Sequence, residues 1–463
     1  MIRLEMTEGT SSKFWEIELS GKVFTARWGR IGTTGQEKQQ SWPSPAIAQQ
    51  EHDKLVAAKR KKGYADAGGK RQGAKAAAPV VAHPRNPQLE AALRKSREDA
   101  GAAQVYADWL QGQGSALGEL IILEQALAKR KDPAKQRRAT AIKKTLGLPA
   151  KDLAVIGWRA GMWQSIHLQN DKDWNDGTFD ALALARPLFT SPLCASLAEL
   201  RIGILRWEHN AKDVPAVLAE AGRQDWAADL ETLFLGDIGD NIDMSHHCVG
   251  DVGKVITKAF PRLTSLKIHS GDQSWAGKGE TFGIGPLALP ELTSLVIETC
   301  SLSKKRLKHV LEATLPKLTT LELWFGSEDQ DATATFKDLR PLLDGVVHPK
   351  VVHLGLRNAE FTDDLARGLP ASKIAARLVS LDLSMGTLSD DGAAALAERV
   401  KAFPKLKTLS IDDNFLSRAT VRAVQAAFKG VTVVSKRQKT ADESDVDDDD
   451  EDGEPFRYVS VSE

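Results

Sequence analysis

Cysteine is nearly absent from this chain. Its three thiols, Cys194, Cys248 and Cys300, are scattered through 463 residues with no C-x-x-C spacing. That is poor material for a disulfide framework or a thiolate zinc site, and it suits a reducing, cytoplasmic setting. Long apolar runs are also missing. No stretch approaches membrane-spanning length, and Met1-Ile2-Arg3-Leu4-Glu5 has no apolar signal region, so a soluble protein without membrane contact is expected. Charge of one sign is absent overall, with 62 basic and 62 acidic side chains, but the balance conceals segregation. Residues 1–85 hold 15 Lys or Arg against 8 Asp or Glu, and residues 441–463 hold 11 acidic side chains against Arg457 alone. Ends of opposite sign suggest a polyanion-binding head and an acidic tail.

Catalytic constellations are equally scarce. His246-His247-Cys248 has no second ligand pair nearby at metal-binding spacing, and Gly277-Lys278-Gly279 lacks the Gly-Lys-Ser/Thr and preceding strand of a phosphate loop. No Ser/His/Asp or Cys/His arrangement can be argued from the spacings. The sequence therefore predicts no enzyme, no metal and no cofactor.

What is abundant is a Leu-x-x-Leu-x-Leu phrase. Its clearest copies are Leu263-Leu266-Ile268, Leu292-Leu295-Ile297, Leu318-Leu321-Leu323, Leu378-Leu381-Leu383 and Leu406-Leu409-Ile411. Looser copies begin at Trp163, Leu197, Leu230 and Val351, and successive starts lie 26 to 34 residues apart. A near-constant period means one supersecondary unit stacked repeatedly, each copy covering its neighbour's apolar edge. Two copies continue to the full pattern, through Cys300-Leu302 and Asn414-Leu416. The region resembles the leucine-rich repeat family, which implies an α/β solenoid with parallel strands on its concave face and helices on its convex face. Residues 156–435 are assigned to it.

In this register the x positions of each strand face a partner. They include Arg201, Phe234, Lys267, His269, Trp324, His353 and Arg357. Aromatic residues beside arginine have the composition of a protein-binding hot spot, so an unidentified protein is expected on the concave face.

Residues 1–66 read as a small α+β module. Strands at 14–19, 23–28 and 36–42 precede a helix with Ser44 as N-cap, Pro45 at its first position and Gly63 beyond a basic last turn. The order Phe14-Trp15-Glu16-Ile17, Phe24-Thr25-Ala26-Arg27-Trp28-Gly29-Arg30-Ile31-Gly32, Gly35, then Gly63-Tyr64 resembles the WGR domain. That resemblance implies nucleic-acid binding, with DNA favoured over RNA. In DNA-break-responsive poly(ADP-ribose) polymerases the motif's Trp packs on sugar at a duplex end and its Arg contacts the backbone. Carried over, Trp28 would stack and Arg30 would hold phosphate, with Gly29, Arg27, Lys22 and Lys38 extending the surface. Nothing here resembles the polymerase's catalytic region.

Between these parts, residues 67–87 read as an Ala/Gly/Lys/Pro tether. Residues 88–155 read as a helical cap for the first repeat, and Tyr106-Ala107-Asp108-Trp109-Leu110 with Gly118-Glu119-Leu120-Ile121 resembles a short helical companion of bacterial repeat arrays. Residues 436–463 form a disordered acidic tail. Its end, Phe456 to Glu463, alternates enough to add to a sheet edge, and a fold-back onto the basic head in competition with nucleic acid is one expectation. The sequence predicts a monomeric adaptor that joins nucleic acid to a protein; a protein-only scaffold with an accessory WGR module is the alternative.

Overall fold

The computed structural model describes the chain apart from residues 1, 9–10, 32, 62–63, 67–82, 98, 147, 160, 171–178, 207–209, 239–243, 245–246, 273–281, 286, 441–455 and 463. The tether, the Gly277-Lys278-Gly279 loop, His246, Gly63 and the acidic run thus lie outside the described residues. Two compact units result, Met1–Pro79 and Val80–Glu463. Among the described residues no helix is long and apolar enough to cross a membrane.

The first unit holds β1 (Ile2–Glu8), β2 (Ser11–Ser20), β3 (Val23–Arg30), β4 (Gln36–Ser41), α1 (Pro45–Lys61) and β5 (Ala65–Asp66). Its antiparallel sheet runs in the order β4-β3-β2-β1-β5. The β2–β3 hairpin turns at Gly21, whose φ of 60° costs glycine nothing. Ser44 caps α1 as expected, its Oγ accepting the Ile47 N–H at 3.3 Å. β1 and β5 go beyond the expected elements, although Ile2, Leu4 and Met6 alternate with polar residues along β1. Leu4, Trp15, Ile17, Phe24, Ala26 and Val56 make the core.

The second unit opens with α2 (Pro87–Lys95), α3 (Ala100–Gly112), α4 (Ala116–Lys129) and α5 (Pro133–Thr145). An eleven-stranded sheet follows in strict chain order. It comprises β6 (Ala154–Arg159), β7 (Met162–Leu168), β8 (Glu199–Ile202), β9 (Thr232–Leu235), β10 (Ser265–His269), β11 (Ser294–Glu298), β12 (Thr320–Gly326), β13 (His353–Ala359), β14 (Ser380–Asp382), β15 (Thr408–Ser410) and β16 (Thr432–Val434). Among the described residues a helix follows most strands, though none lies between β10 and β11: α6 (Ala181–Phe189), α7 (Asn210–Ala221), α8 (Gly253–Ala259), α9 (Lys304–Leu311), α10 (Arg340–Leu343), α11 (Thr362–Gly368), α12 (Asp390–Glu398) and α13 (Arg418–Ala427).

From β7 to β16 every pairing is parallel, and the expected register holds. Ile166, Leu200, Leu233, Leu266, Leu295, Leu321, Leu354, Leu381 and Leu409 form one buried row. Each such side chain contributes roughly 1.5–3 kcal/mol of burial. Asn414 does what its place in the repeat requires: it is fully buried, accepts the Leu388 N–H, and donates to the Leu383 and Asp412 carbonyls.

The array begins on β6, which is antiparallel to β7, where helix alone was expected up to residue 155. The hairpin turns at Gly161, with φ of 81°. A Cβ there would lie 2.5 Å from the Ile121 carbonyl oxygen of α4, so the cap packs directly on the turn. The cap and repeats share one core running from Leu93 to Phe428. Glu90 pins the cap. Its buried carboxylate accepts both Arg85 Nε and Nη2, at 2.7 and 2.6 Å, and the Tyr106 hydroxyl at 2.7 Å. Burial alone would raise that carboxyl, but these bonds outweigh it and hold Glu90 below the usual carboxylate range.

The end of the chain departs from a disordered tail. Residues 456–462 pack on the last repeats: the Ser460 N–H donates to the Met385 carbonyl at 2.9 Å, and Val459 is 3% exposed. This segment packs on the solenoid, where Val459 is buried and the Ser460 and Val461 backbone groups are bonded.

Candidate nucleic-acid interface and concave face

Strand alternation sorts the head's candidate residues onto two faces. Trp28 and Arg30 share one face of β3 with Phe24 and Ala26, and Trp15 lies directly opposite Trp28 on β2. Lys38, opposite Ala26 on β4, joins them. Together with Leu55 and Lys59 of α1, Trp15, Trp28 and Lys38 line an open groove of roughly 270 Å³. Trp28 is half-buried, one side on the core and the other on the groove. Arg30 is exposed, with no carboxylate in ion-pair range among the described residues. Lys59 stands over the Trp15 and Tyr64 rings, with Nζ 5.4 and 5.2 Å from their centroids.

Arg27 points to the opposite face. It lies 3.2 Å from the buried Glu16 carboxylate, beside Arg3, and its guanidinium covers the Phe14 ring at 5.5 Å. Lys22 sits in the hairpin turn, six residues along β3 from Trp28 or about 20 Å at strand rise, so the structure does not bring it to the groove. Gly29 has a packing role. A Cβ there would meet the Gly35 Cα at 2.6 Å, and one on Gly35, at φ of 74°, would meet Phe14 and the Trp28 carbonyl. The two glycines let β3 and the following turn touch, which sets the direction of Trp28 and Arg30. Trp15 and Lys59 are lining residues that motif reading overlooks. The hairpin register gives the first, since a two-residue turn at 21–22 puts Trp15 against Trp28; for Lys59 the sequence offers no signal beyond its basic neighbours.

On the solenoid, the register gathers the other candidates into two aromatic–cation groups. Phe234 lies between Arg201, at 5.1 Å, and Lys267, at 4.8 Å. Arg201 pairs with Asp237 at 2.6 Å, while Lys267 and His269 converge on Glu298 at 2.8 and 2.9 Å. Burial would raise the Glu298 carboxyl, but His269 and Lys267 together hold it low. The second group centres on Trp324, whose indole N–H donates to Glu322 at 2.8 Å. Arg357 covers that ring at 4.8 Å and donates to Glu322 at 2.8 Å and Ser384 at 2.9 Å. His353 stands apart, bonded to Ser380 at 2.9 Å. The buried thiols of Cys194 and Cys300 are pushed upward by desolvation, the latter to about 11, which makes them poor nucleophiles.

A sheet in strict chain order, parallel from β7 to β16 and with helices between most of its strands, defines a leucine-rich-repeat-type solenoid; the chain also carries a small antiparallel head with an aromatic, basic groove. The head is a WGR domain: residues 1–71 match that family. No curated protein is similar to the chain. A protein of Bacteroides fragilis, solved by a structural genomics consortium, is similar at 20% identity, covering 100% of this chain and 99% of its own, with a TM-score of 0.49. An internalin from Listeria monocytogenes is similar at 15% identity over 54% of this chain and 63% of its own, with a TM-score of 0.26. Neither likeness is close enough to fix a fold; the solenoid class rests on the strand ladder itself.

Proposed function

We propose that this chain is a non-enzymatic, monomeric, cytoplasmic adaptor. Its WGR head binds DNA ends or duplex DNA, and its concave sheet binds a protein. The observation that carries the reading is that Trp28 and Lys38 line an open groove with no acidic side chain in its lining, while Arg30 follows Trp28 on the same face of β3. An aromatic face accepts sugar or base without regard to sequence, and a guanidinium free of carboxylates can fork onto phosphate. The concave face supports the second half differently. Its cations are already held by Glu298, Glu322 and Asp237 beside Phe234 and Trp324, so a partner meets preorganised aromatic anchors at little ordering cost.

Fluorescence anisotropy with labelled duplex tests the DNA half. Blunt-ended duplex should bind, and the Trp28→Ala, Arg30→Ala double variant should lose at least tenfold in affinity, from stacking worth about 1–3 kcal/mol together with the lost phosphate contact. Duplex closed by hairpins at both ends should bind more weakly if ends are the preferred structure. Silence of the unaltered protein at low salt would leave the protein-only scaffold standing.

A further inference from the structure

The last three repeats share a backbone feature with no role in the ladder's core. Asn358, Met385 and Asp413 occupy equivalent positions, three residues beyond the paired row Gly355, Asp382 and Ser410. All three are left-handed, with φ of 54°, 69° and 55°, a conformation non-glycine residues adopt at a cost. Their N–H groups donate in series to the Ser384, Asp412 and Arg437 carbonyls.

The exposed side of this series is taken up by residues 456–462. Asn358, wholly buried, spends its side-chain amide on one residue of that segment: Oδ1 accepts the Val461 N–H at 2.9 Å and Nδ2 donates to the Val461 carbonyl at 2.6 Å. That is the two-bond reading a neighbouring strand would give a peptide, delivered by a side chain. The Met385 carbonyl takes the Ser460 N–H, and Lys439 Nζ donates to the Tyr458 carbonyl at 2.7 Å and the Ser460 hydroxyl at 3.1 Å. Tyr458 meets Phe415 edge-on at 5.4 Å, and the Lys439 ammonium lies over both rings. Without this segment a buried amide would lose both its partners, so the site is built for a peptide backbone.

We propose that Asn358, Met385, Phe415 and Lys439 form a peptide-binding site. Its ligand is the chain's own segment 456–462, held in cis as a releasable latch. Residues 441–455, ten of them acidic, join the latch to the solenoid. Opening it frees a site for the same segment supplied in trans. Being part of the same chain, the cis segment has an effective concentration on the order of millimolar, so an unaltered chain resists trans peptide.

A labelled peptide of residues 455–463, titrated by anisotropy, tests this. Val459→Asp in the full chain places a charge in a buried position and should release the latch. Peptide should then bind at least tenfold more tightly than to the unaltered chain, and Asn358→Gly added to Val459→Asp should abolish that gain; glycine keeps the backbone conformation and removes only the amide. Failure of Val459→Asp to bind peptide, or equal binding with and without the Asn358 amide, overturns the proposal. Hydrogen exchange on the otherwise unaltered chain gives an independent reading. The Ser460 and Val461 amides should be protected, and Asn358→Gly should expose them; unprotected amides in the unaltered protein contradict the latch.

Discussion

The head and the solenoid both carry arginine and lysine beside aromatic rings, but they treat those charges in opposite ways. On the concave sheet Arg201, Lys267 and Arg357 each have a carboxylate within 2.8 Å. On the groove face of the head, Arg30 and Lys38 have none among the described residues. Paired cations are part of a preformed surface for a largely neutral partner, whereas unpaired cations create a field that only an anionic ligand neutralises. The cores differ in the same sense. Among the described residues the head's core cluster holds six buried side chains, while one core runs from Leu93 to Phe428 in the solenoid. The small unit presents chemistry and the large one presents area.

The sharpest break in that comparison comes from the cores. Leu323→Ala, at a fully buried position of β12, should cost the solenoid about 3–4 kcal/mol. Calorimetry should show its transition falling while the head's stays in place; a shift of both would mean the units are not independent.

Next in size is Glu90→Gln, which leaves Arg85 without its partner at a site 28% exposed on the arginine side. Discounted for that exposure, the loss should be about 2–3 kcal/mol in thermal melts. The unaltered protein makes the same point with acid. Because the folded carboxyl lies below its ordinary 4.5, its stabilisation is present above pH 4.5 and is lost as pH falls below it.

Arg357→Met is smaller still. It removes the cation from Trp324 and the partner from Glu322, worth about 1 kcal/mol in the melt. It should weaken capture of the protein partner without changing DNA affinity, and a loss of DNA binding would erase the division between the two surfaces.

The smallest effect concerns the latch. Burial lowers the Lys439 ammonium to about 8 against the opposing pull of Asp413. The docked state therefore binds fewer protons, and trans-peptide affinity for the Val459→Asp chain should be flat below about pH 8 and rise modestly above it.

Much of this was legible in the chain. The Leu-x-x-Leu-x-Leu spacing fixes the parallel row because period-2 burial admits one register, and Ser44-Pro45 marks the start of α1. The hairpin at Gly161 was not, since Trp163 reads equally well as the first repeat alone. The division of Arg27 from Arg30 follows from alternation but is invisible to a motif that treats them as neighbours. The latch was illegible for another reason: Asn358 and Val461 lie 103 residues apart, and only the fold brings a lone amide to a chain end.

The most direct test is the salt dependence of duplex binding by three proteins: unaltered, Arg30→Ala and Arg27→Met. Each phosphate contact contributes to the slope of log affinity against log salt. Arg30→Ala should weaken binding and lower that slope by about one, while Arg27→Met should leave both unchanged. A slope carried by Arg27 and indifferent to Arg30 would place the DNA on the other face of the sheet and contradict the assigned interface.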